Sequence, residues 1–282
     1  MIPKLIHVFW SGDRSWFVDA CISRMREVNP GWRVIEYSDF VEADHVEGFE
    51  RLSIQAKTDW LRLCLVQRHG GVWLDATILC NHPIEESLDV TEQRVVGFEC
   101  PIGEGILENW AFGAVPNHPL ILAWKAEFAS AIRVGFDAYK QECGLKGSAI
   151  YDHMPYLTMH GAYVVVARRH PDSVSMKSSM DEKHGPFYFT KDEWETGGSW
   201  RLYAVFKLFV YDFEYPPLLK FTGETRGYVL WMARLFPILP FSFLARTTHH
   251  TPSPRLYLHT YNLLLLSIMS ILVHVTWRTS RR

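Results

Sequence analysis

Apolar and polar positions in this chain follow two periods in turn. Leu5-Ile6-His7-Val8-Phe9-Trp10 is a compact apolar run ending at Ser11-Gly12-Asp13, which predicts a buried first strand with a loop behind it. Trp16 to Val28 reads as a helix stopped by Asn29-Pro30-Gly31. Trp32 to Tyr37 then alternates as a strand and gives way to Ser38-Asp39, a residue pair suited to a helix N-cap. The opening order is β-α-β.

From Ser53 to His69, the apolar residues Ile54, Leu61, Cys64 and Leu65 fall near helical spacing, and Gly70-Gly71 supplies the left-handed conformation that ends a helix. Residues 72–79 follow as a strand with Asp75 planted in it. A carboxylate in an apolar strand is costly unless it is paired, metal-bound or at the strand's end facing a crevice. Asp75 therefore needs a chemical reason to be there.

Further along, residues 94–99 read as a strand, 108–114 as a strand or loop, Pro119–Val134 as a helix and 161–168 as another strand. Residues 190–201, rich in Gly, Trp and charge, suit a mobile active-site flap, although functionless surface loops have the same composition. Past Lys220 the composition shifts, and residues 228–245 and 256–277 are both strongly apolar. The expected division is a globular domain at 1–227 and a hydrophobic, membrane-associated region at 228–282.

Residues 256–277 carry no Lys, Arg, Asp or Glu, and at about 1.5 Å per helical residue they are long enough to cross a bilayer core of roughly 30 Å. A tail anchor would carry Arg278, Arg281 and Arg282 across, against the tendency of basic flanks to stay cytoplasmic. A hairpin with residues 228–245 or an interfacial helix avoids that. His259, Asn262 and His274 leave a fourth geometry open, a helix packed on the soluble domain.

Composition narrows the function. Of the 282 residues, 48% are hydrophobic and 14% aromatic, which excludes global disorder. Lys and Arg number 29 against 31 Asp and Glu, so there is no basic field for a nucleic-acid backbone, and nucleic acid is not an expected partner. Five widely spaced cysteines with no C-x-x-C pair argue against a zinc knot or disulfide framework and for a reducing compartment. No cleavage-site pattern follows the first apolar run, which argues against a secretory signal. Nucleophile-elbow, P-loop and dinucleotide glycine motifs are absent, and Asp75-Ala76-Thr77-Ile78 matches a phosphatase pattern poorly. His7 reads as a core residue and His249-His250 has no metal-site context, so no catalytic histidine is expected.

The densest chemistry is Asp59-x-x-Arg62 followed by Gly70-Gly71-Val72-Trp73-Leu74-Asp75-Ala76-Thr77. Asp59 and Arg62 share a helix face, where Arg can hold a phosphate or orient a carboxylate and Asp can accept from sugar hydroxyls; a plain surface ion pair is the alternative. Together with Ile2-Pro3-Lys4-Leu5-Ile6-His7-Val8-Phe9-Trp10, these blocks resemble the sugar-binding, Asp-x-Asp glycosyltransferases of the capsular polysaccharide synthesis branch, related to the glycosyltransferase family 32 group. Weaker echoes at Asn109-Trp110-Ala111-Phe112, Pro116-Asn117-His118-Pro119, Gly185-Pro186 and Pro217-Leu218-Leu219-Lys220-Phe221-Thr222 extend the resemblance patchily to about residue 225.

The resemblance implies an α/β fold of GT-A type, a Rossmann-like nucleotide-sugar-binding domain, here with a hydrophobic helical C-terminal segment. It implies transfer of a sugar from a nucleoside-diphosphate sugar to a glycan or glycolipid acceptor with retention at the anomeric carbon, for which the sequence shows no nucleophile. Asp75 would be the catalytic and metal residue, with Asp59, Arg62, Thr77 and Lys220 as its donor-binding partners. Trp10 would stack on the base or else fill the core, and Asn109 and Trp110 would recognise sugar or acceptor or else form an ordinary strand edge. The implied cofactor is Mn²⁺ or Mg²⁺, yet Thr77 stands where the family's second acid would be, and a neutral hydroxyl is a poorer ligand for hard cations. Expected partners are the donor, the acceptor and a membrane, with the catalytic domain on the cytoplasmic side. The competing expectation, motivated by Thr77, is a catalytically silent, membrane-bound glycan-binding or scaffold protein.

Overall fold

The computed structural model describes residues 1–103, 105–191, 200–210, 212, 214–235, 238 and 242–249. In chain order the elements are β1 (Leu5–Phe9), α1 (Trp16–Val28), β2 (Arg33–Tyr37), α2 (Ile54–His69), β3 (Gly71–Leu74), β4 (Ile78–Cys80), β5 (Val95–Glu99) and β6 (Leu107–Ala114). There follow α3 (Pro119–Val134), α4 (Phe136–Glu142), α5 (Ala149–Asp152), α6 (Thr158–Ala167), β7 (Val174–Ser178), α7 (Trp200–Val210), β8 (Leu218–Lys220), α8 (Gly223–Leu235) and α9 (Phe243–Thr248).

Six strands form one sheet in the order β2-β1-β3-β6-β5-β7. β1 pairs parallel with β2 and β3, β5 parallel with β7, and β6 runs antiparallel to both neighbours, so five strands point one way. Period-2 alternation assigns the two faces. Ile6, Val8, Val72, Leu74, Val96 and Phe98 pack with Val18, Ile22 and Met25 of α1. Phe9, Trp73, Val95 and Phe112 point the other way, into a core with Trp60 and Leu61 of α2, Trp124 and Phe128 of α3 and Tyr163 of α6. The α/β architecture expected from the motifs is present as a mostly parallel central sheet covered on both faces.

Local chemistry sets the boundaries. Ser15 and Ser53 cap α1 and α2 by accepting from the backbone N–H of Val18 and Ala56. Gly70 and Gly71 turn the chain from α2 into β3 at φ +63° and +89°. A Cβ on Gly71 would lie 2.6 Å from the Leu5 carbonyl oxygen, so close approach demands glycine as much as the dihedral does.

Three expectations change. The strand expected over 72–79 is two strands: the chain leaves the sheet at Leu74, turns with Ile78 N–H donating to the Asp75 carbonyl, and resumes as β4, paired antiparallel with β8. Residues 161–168 lie in or just past helix α6, not in a strand. Thr158–Val164 are all buried, so the segment is apolar all round and shows no period. No helix starts at Ser38-Asp39; Asp39 instead accepts from the N–H of Val41 in a local turn.

The boundary expected after residue 227 falls inside α8. Val229 and Met232 of α8, with Phe243 and Leu244 of α9, are buried against Phe17 of α1, Phe209 of α7 and Phe221. The described part of 228–245 thus packs onto the domain's own core rather than forming one arm of a membrane hairpin. Among the described residues no helix is long and apolar enough to cross a membrane. Residues 256–277, on which the membrane expectation chiefly rested, and residues 192–199 of the expected flap lie outside the described residues, as does His250.

Candidate active site

A cavity of about 1400 Å³ opens where the carboxyl ends of β1 and β3 meet α2, β6 and the β8–α8 junction. Trp10 follows β1 and Asp75 follows β3, the crevice position at which open α/β sheets bind ligands. Asp75 is therefore not inside a strand: it sits at a strand's end facing a crevice.

Asp75 is held on both carboxylate oxygens. Oδ2 accepts from Lys220 Nζ at 2.5 Å, Oδ1 accepts from Trp73 Nε1 at 3.0 Å, and Arg62 Nη2 lies 3.7 Å from Oδ1. Burial alone would raise its pKa, but the charges of Lys220 and Arg62 outweigh that and hold the carboxyl below its ordinary range. The pairing of β4 with β8 sets Ile78 opposite Lys220 and so brings together groups 145 residues apart.

Arg62 is the hub of the next group. Nη2 lies 3.1 Å from Asp59 Oδ1, Nη1 donates to the Asn109 carbonyl, Nε to the Thr58 carbonyl, and the guanidinium covers the Trp73 ring at 4.9 Å. Asn109 Nδ2 donates to Asp59 Oδ1 at 3.0 Å. Burial raises the Asp59 pKa in spite of Arg62 and His160. Asp59 and Asp75 thus share Arg62 but are shifted in opposite directions, an arrangement common at functional sites.

The strand register explains why three consecutive residues reach the cavity. Gly97 of β5 faces Phe112 of β6 while Glu99 faces Leu107, so β6 carries extra residues that bulge out of the ladder. Those residues include Glu108, Asn109 and Trp110, all of which line the cavity. The Trp110 ring stacks on Phe98 with centroids 5.4 Å apart, and the Lys220 ammonium lies 5.8 Å from its centre.

The structure thus brings together Asp59, Arg62, Asp75, Asn109, Trp110 and Lys220. Trp10 also lines the cavity; it is half-buried, packed against the core on the α1 side of the sheet, and the Arg226 guanidinium lies over its ring at 5.1 Å. Thr77 is buried, and its hydroxyl donates to the Phe221 carbonyl at 2.7 Å, which clasps the turn after β3 to the strand end that presents Lys220. His7 is a core residue: Nε2 donates to the Gly70 carbonyl, Nδ1 accepts from the Tyr37 hydroxyl, and burial lowers its pKa to about 4.

Among the described residues, Asp75, the residue expected to meet a divalent cation, has no second acidic ligand beside it. No group of three or more His, Cys, Asp or Glu among them could hold a metal. The one carboxylate at the expected position already meets two cationic side chains, and the Thr77 hydroxyl is directed at a carbonyl.

Sequence reasoning passed over Glu108, His160 and Arg226. His160 Nε2 lies 3.3 Å from Glu108 Oε2, both side chains are buried, and both line the cavity. Glu108 carried the same signal as Asp75, a carboxylate in an apolar strand. Arg226 lies in the first turn of a helix that composition had assigned to the end of the domain.

With this geometry in view, the profile of the capsular polysaccharide synthesis protein family matches residues 4–130. Similar solved structures include the PaToxG glycosyltransferase, at 13% identity and TM-score 0.39 over 60% of this chain and 70% of that one. A glycosyltransferase involved in glycosylation of the major capsid of PBCV-1 is 10% identical at TM-score 0.45, over 82% and 100%. The glycosyltransferase GlyE of Streptococcus pneumoniae TIGR4 is 9% identical at TM-score 0.41, over 83% and 60%. No curated protein matches the sequence.

Proposed function

We propose that this chain, a glycosyltransferase carrying the capsular polysaccharide synthesis profile over its first 130 residues, takes a nucleoside-diphosphate sugar into the cavity and passes the sugar to a glycan or glycolipid hydroxyl. The observation that carries the reading is Asp75 at the end of β3, fixed between Lys220 and Arg62 and open on one side to a cavity that also holds Asp59 and Asn109.

In this reading the donor lies across the crevice. Trp10 receives the base, a role for which the Arg226 guanidinium already marks the ring face as a stacking surface. The diphosphate lies toward Lys220 and Arg226, near the start of α8, where fixed cations neutralise the charge that builds on the leaving group as the anomeric C–O bond breaks. Asp75 then has two roles. It holds Lys220 in place before the donor arrives, and it accepts from donor hydroxyls afterwards. Asp59, Arg62 and Asn109 form a preformed acceptor–donor set suited to hydroxyls of the transferred sugar. The acceptor oxygen forms the new bond to the anomeric carbon and its proton leaves to solvent or to the departing diphosphate. Retention at that carbon and a membrane-held acceptor belong to the same proposal. The charge-free run at 256–277 supports the membrane, and the five free cysteines support a catalytic domain on the reducing, cytoplasmic side.

The test is a panel of nucleoside-diphosphate sugars with purified protein, reading release of nucleoside diphosphate, with Asp75→Ala alongside. Release by wild type that falls by at least about a hundredfold in Asp75→Ala is expected, since a charged contact to the reacting donor is worth several kcal/mol in a dry site. Binding of sugars without release by either protein replaces this reading with the silent glycan-binding one.

A further inference from the structure

Glu108 and His160 form a second polar centre in the cavity, apart from the Asp75–Lys220–Arg62 group. Both are almost fully buried, at 6% and 3% exposure, and both come from elements that end at the cavity: the bulge of β6 and the first turn of α6. The pair is not self-sufficient. His160 uses Nε2 on Glu108, while His160 Nδ1 is buried with no hydrogen-bond partner, and Trp110 Nε1, on the same bulge, is buried without one as well. Buried polar atoms are rarely left unpaired, so an open imidazole nitrogen on the ring that meets this carboxylate at the cavity wall points to a ligand that supplies a hydrogen bond. The same bulge joins them to the hydroxyl-binding set: Asn109 stands between Glu108 and Trp110, and its Nδ2 reaches both Asp59 and the sulfur of Met159, the neighbour of His160.

Volume and polarity identify the ligand moiety. At about 1400 Å³ the cavity exceeds the roughly 300–1,000 Å³ of ordinary small-molecule pockets, leaving room beyond a nucleotide. Its cationic side, at Lys220 and Arg226, suits phosphate. The Glu108 side offers a carboxylate and an imidazole whose Nε2–H is used on that carboxylate, a set that repels phosphate but accepts from hydroxyls. We propose that Glu108 and His160 bind hydroxyls of the transferred sugar and so determine which sugar the enzyme accepts. This rests on the donor-binding reading above. A site built to bond a hydroxyl discriminates sharply, because a sugar that lacks or misplaces it leaves buried groups unpaired.

The experiment is titration calorimetry on wild type, Glu108→Gln and His160→Gln, with UDP and GDP and with a panel of UDP- and GDP-sugars that includes epimers. Expected is unchanged affinity for the nucleoside diphosphate, which also shows that each variant is folded, and about 10- to 100-fold weaker binding of the preferred sugar nucleotide. The ranking among epimers should change in at least one variant, which a merely structural role would not produce. Equal weakening of the nucleoside diphosphate and its sugar conjugate, or sugar-nucleotide affinity left at the wild-type value, overturns the assignment while leaving the donor-binding reading intact. If wild type binds no nucleotide at all, both fall together.

Discussion

Replacing Lys220 by Met removes one of two cations from a carboxylate whose side chain is only 26% exposed, at a lysine that is only 10% exposed. Exposed ion pairs contribute about 0–1 kcal/mol, whereas breaking a fully buried pair by deleting one partner costs about 3–5 kcal/mol. Asp75 lies between these limits and keeps Arg62 at 3.7 Å, so the expected loss is about 2–3 kcal/mol at pH 7. The pH dependence follows from the sign of the shift. Asp75 is held below its ordinary range in the native protein, so it contributes stability above its unfolded pKa of about 3.9, and that contribution is lost as pH falls through the native value. Without Lys220 burial dominates and the carboxyl titrates higher. On acidification the variant's Asp75 takes up a proton first and is relieved of its unpaired charge, so the gap between the two proteins narrows toward pH 4. Urea unfolding from pH 4 to 7 reads this directly. Lys220→Met/Asp75→Asn, which removes both charges, should recover about half of the loss or more. A single variant as stable as wild type at pH 7, or a double variant no more stable than the single one, would refute the claim that the two groups depend on each other.

Other outcomes follow from the same geometry. Gly71→Ala should cost about 2–4 kcal/mol in urea denaturation, since φ +89° is strained for alanine and its Cβ would meet the Leu5 carbonyl, while Gly227→Ala, in open space on α8, should be neutral or slightly stabilising. A chelator should leave nucleoside-diphosphate release within about threefold of the untreated rate, because Lys220 and Arg62 already neutralise Asp75 and fixed cations face the proposed diphosphate position; loss on chelation that Mn²⁺ restores would contradict this. His7 stays neutral down to about pH 4, so from about 6.5 downward the unfolded state binds a proton that the native state refuses, and wild type should lose on the order of 3 kcal/mol across that range. In His7→Gln this part of the pH dependence should be absent, and a profile identical to wild type would remove His7 as its source.

What was legible in the sequence was whatever a local period or a local breaker encodes. β1, α1 and α2 stand out because each has a bounded apolar pattern, and Gly70-Gly71 because only glycine tolerates both the positive φ and the contact with Leu5. α6 was misread for the converse reason: a segment buried on every side, with three successive valines at 164–166, carries no amphipathic period. The site divides along the same line. Asp59, Arg62 and Asp75 lie within 17 positions on one α2–β3 unit, so a local motif can name them. Of the groups that keep Asp75 ionised and oriented, Arg62 and Trp73 belong to that motif, but the largest contributor, Lys220, does not. Lys220 reaches it only because the chain breaks out of the main sheet after Leu74 and β4 pairs with a strand 140 positions further on. Glu108 faces His160 only because β6 bulges by a register shift that no composition announces. An acid in a strand can therefore be flagged from sequence as a group in need of a partner, and the resemblance names Lys220 beside it, but the contact between them is a property of topology. In this protein topology supplies an ammonium to one such acid and an imidazole to the other, which is why two carboxylates with the same sequence signal are assigned different tasks.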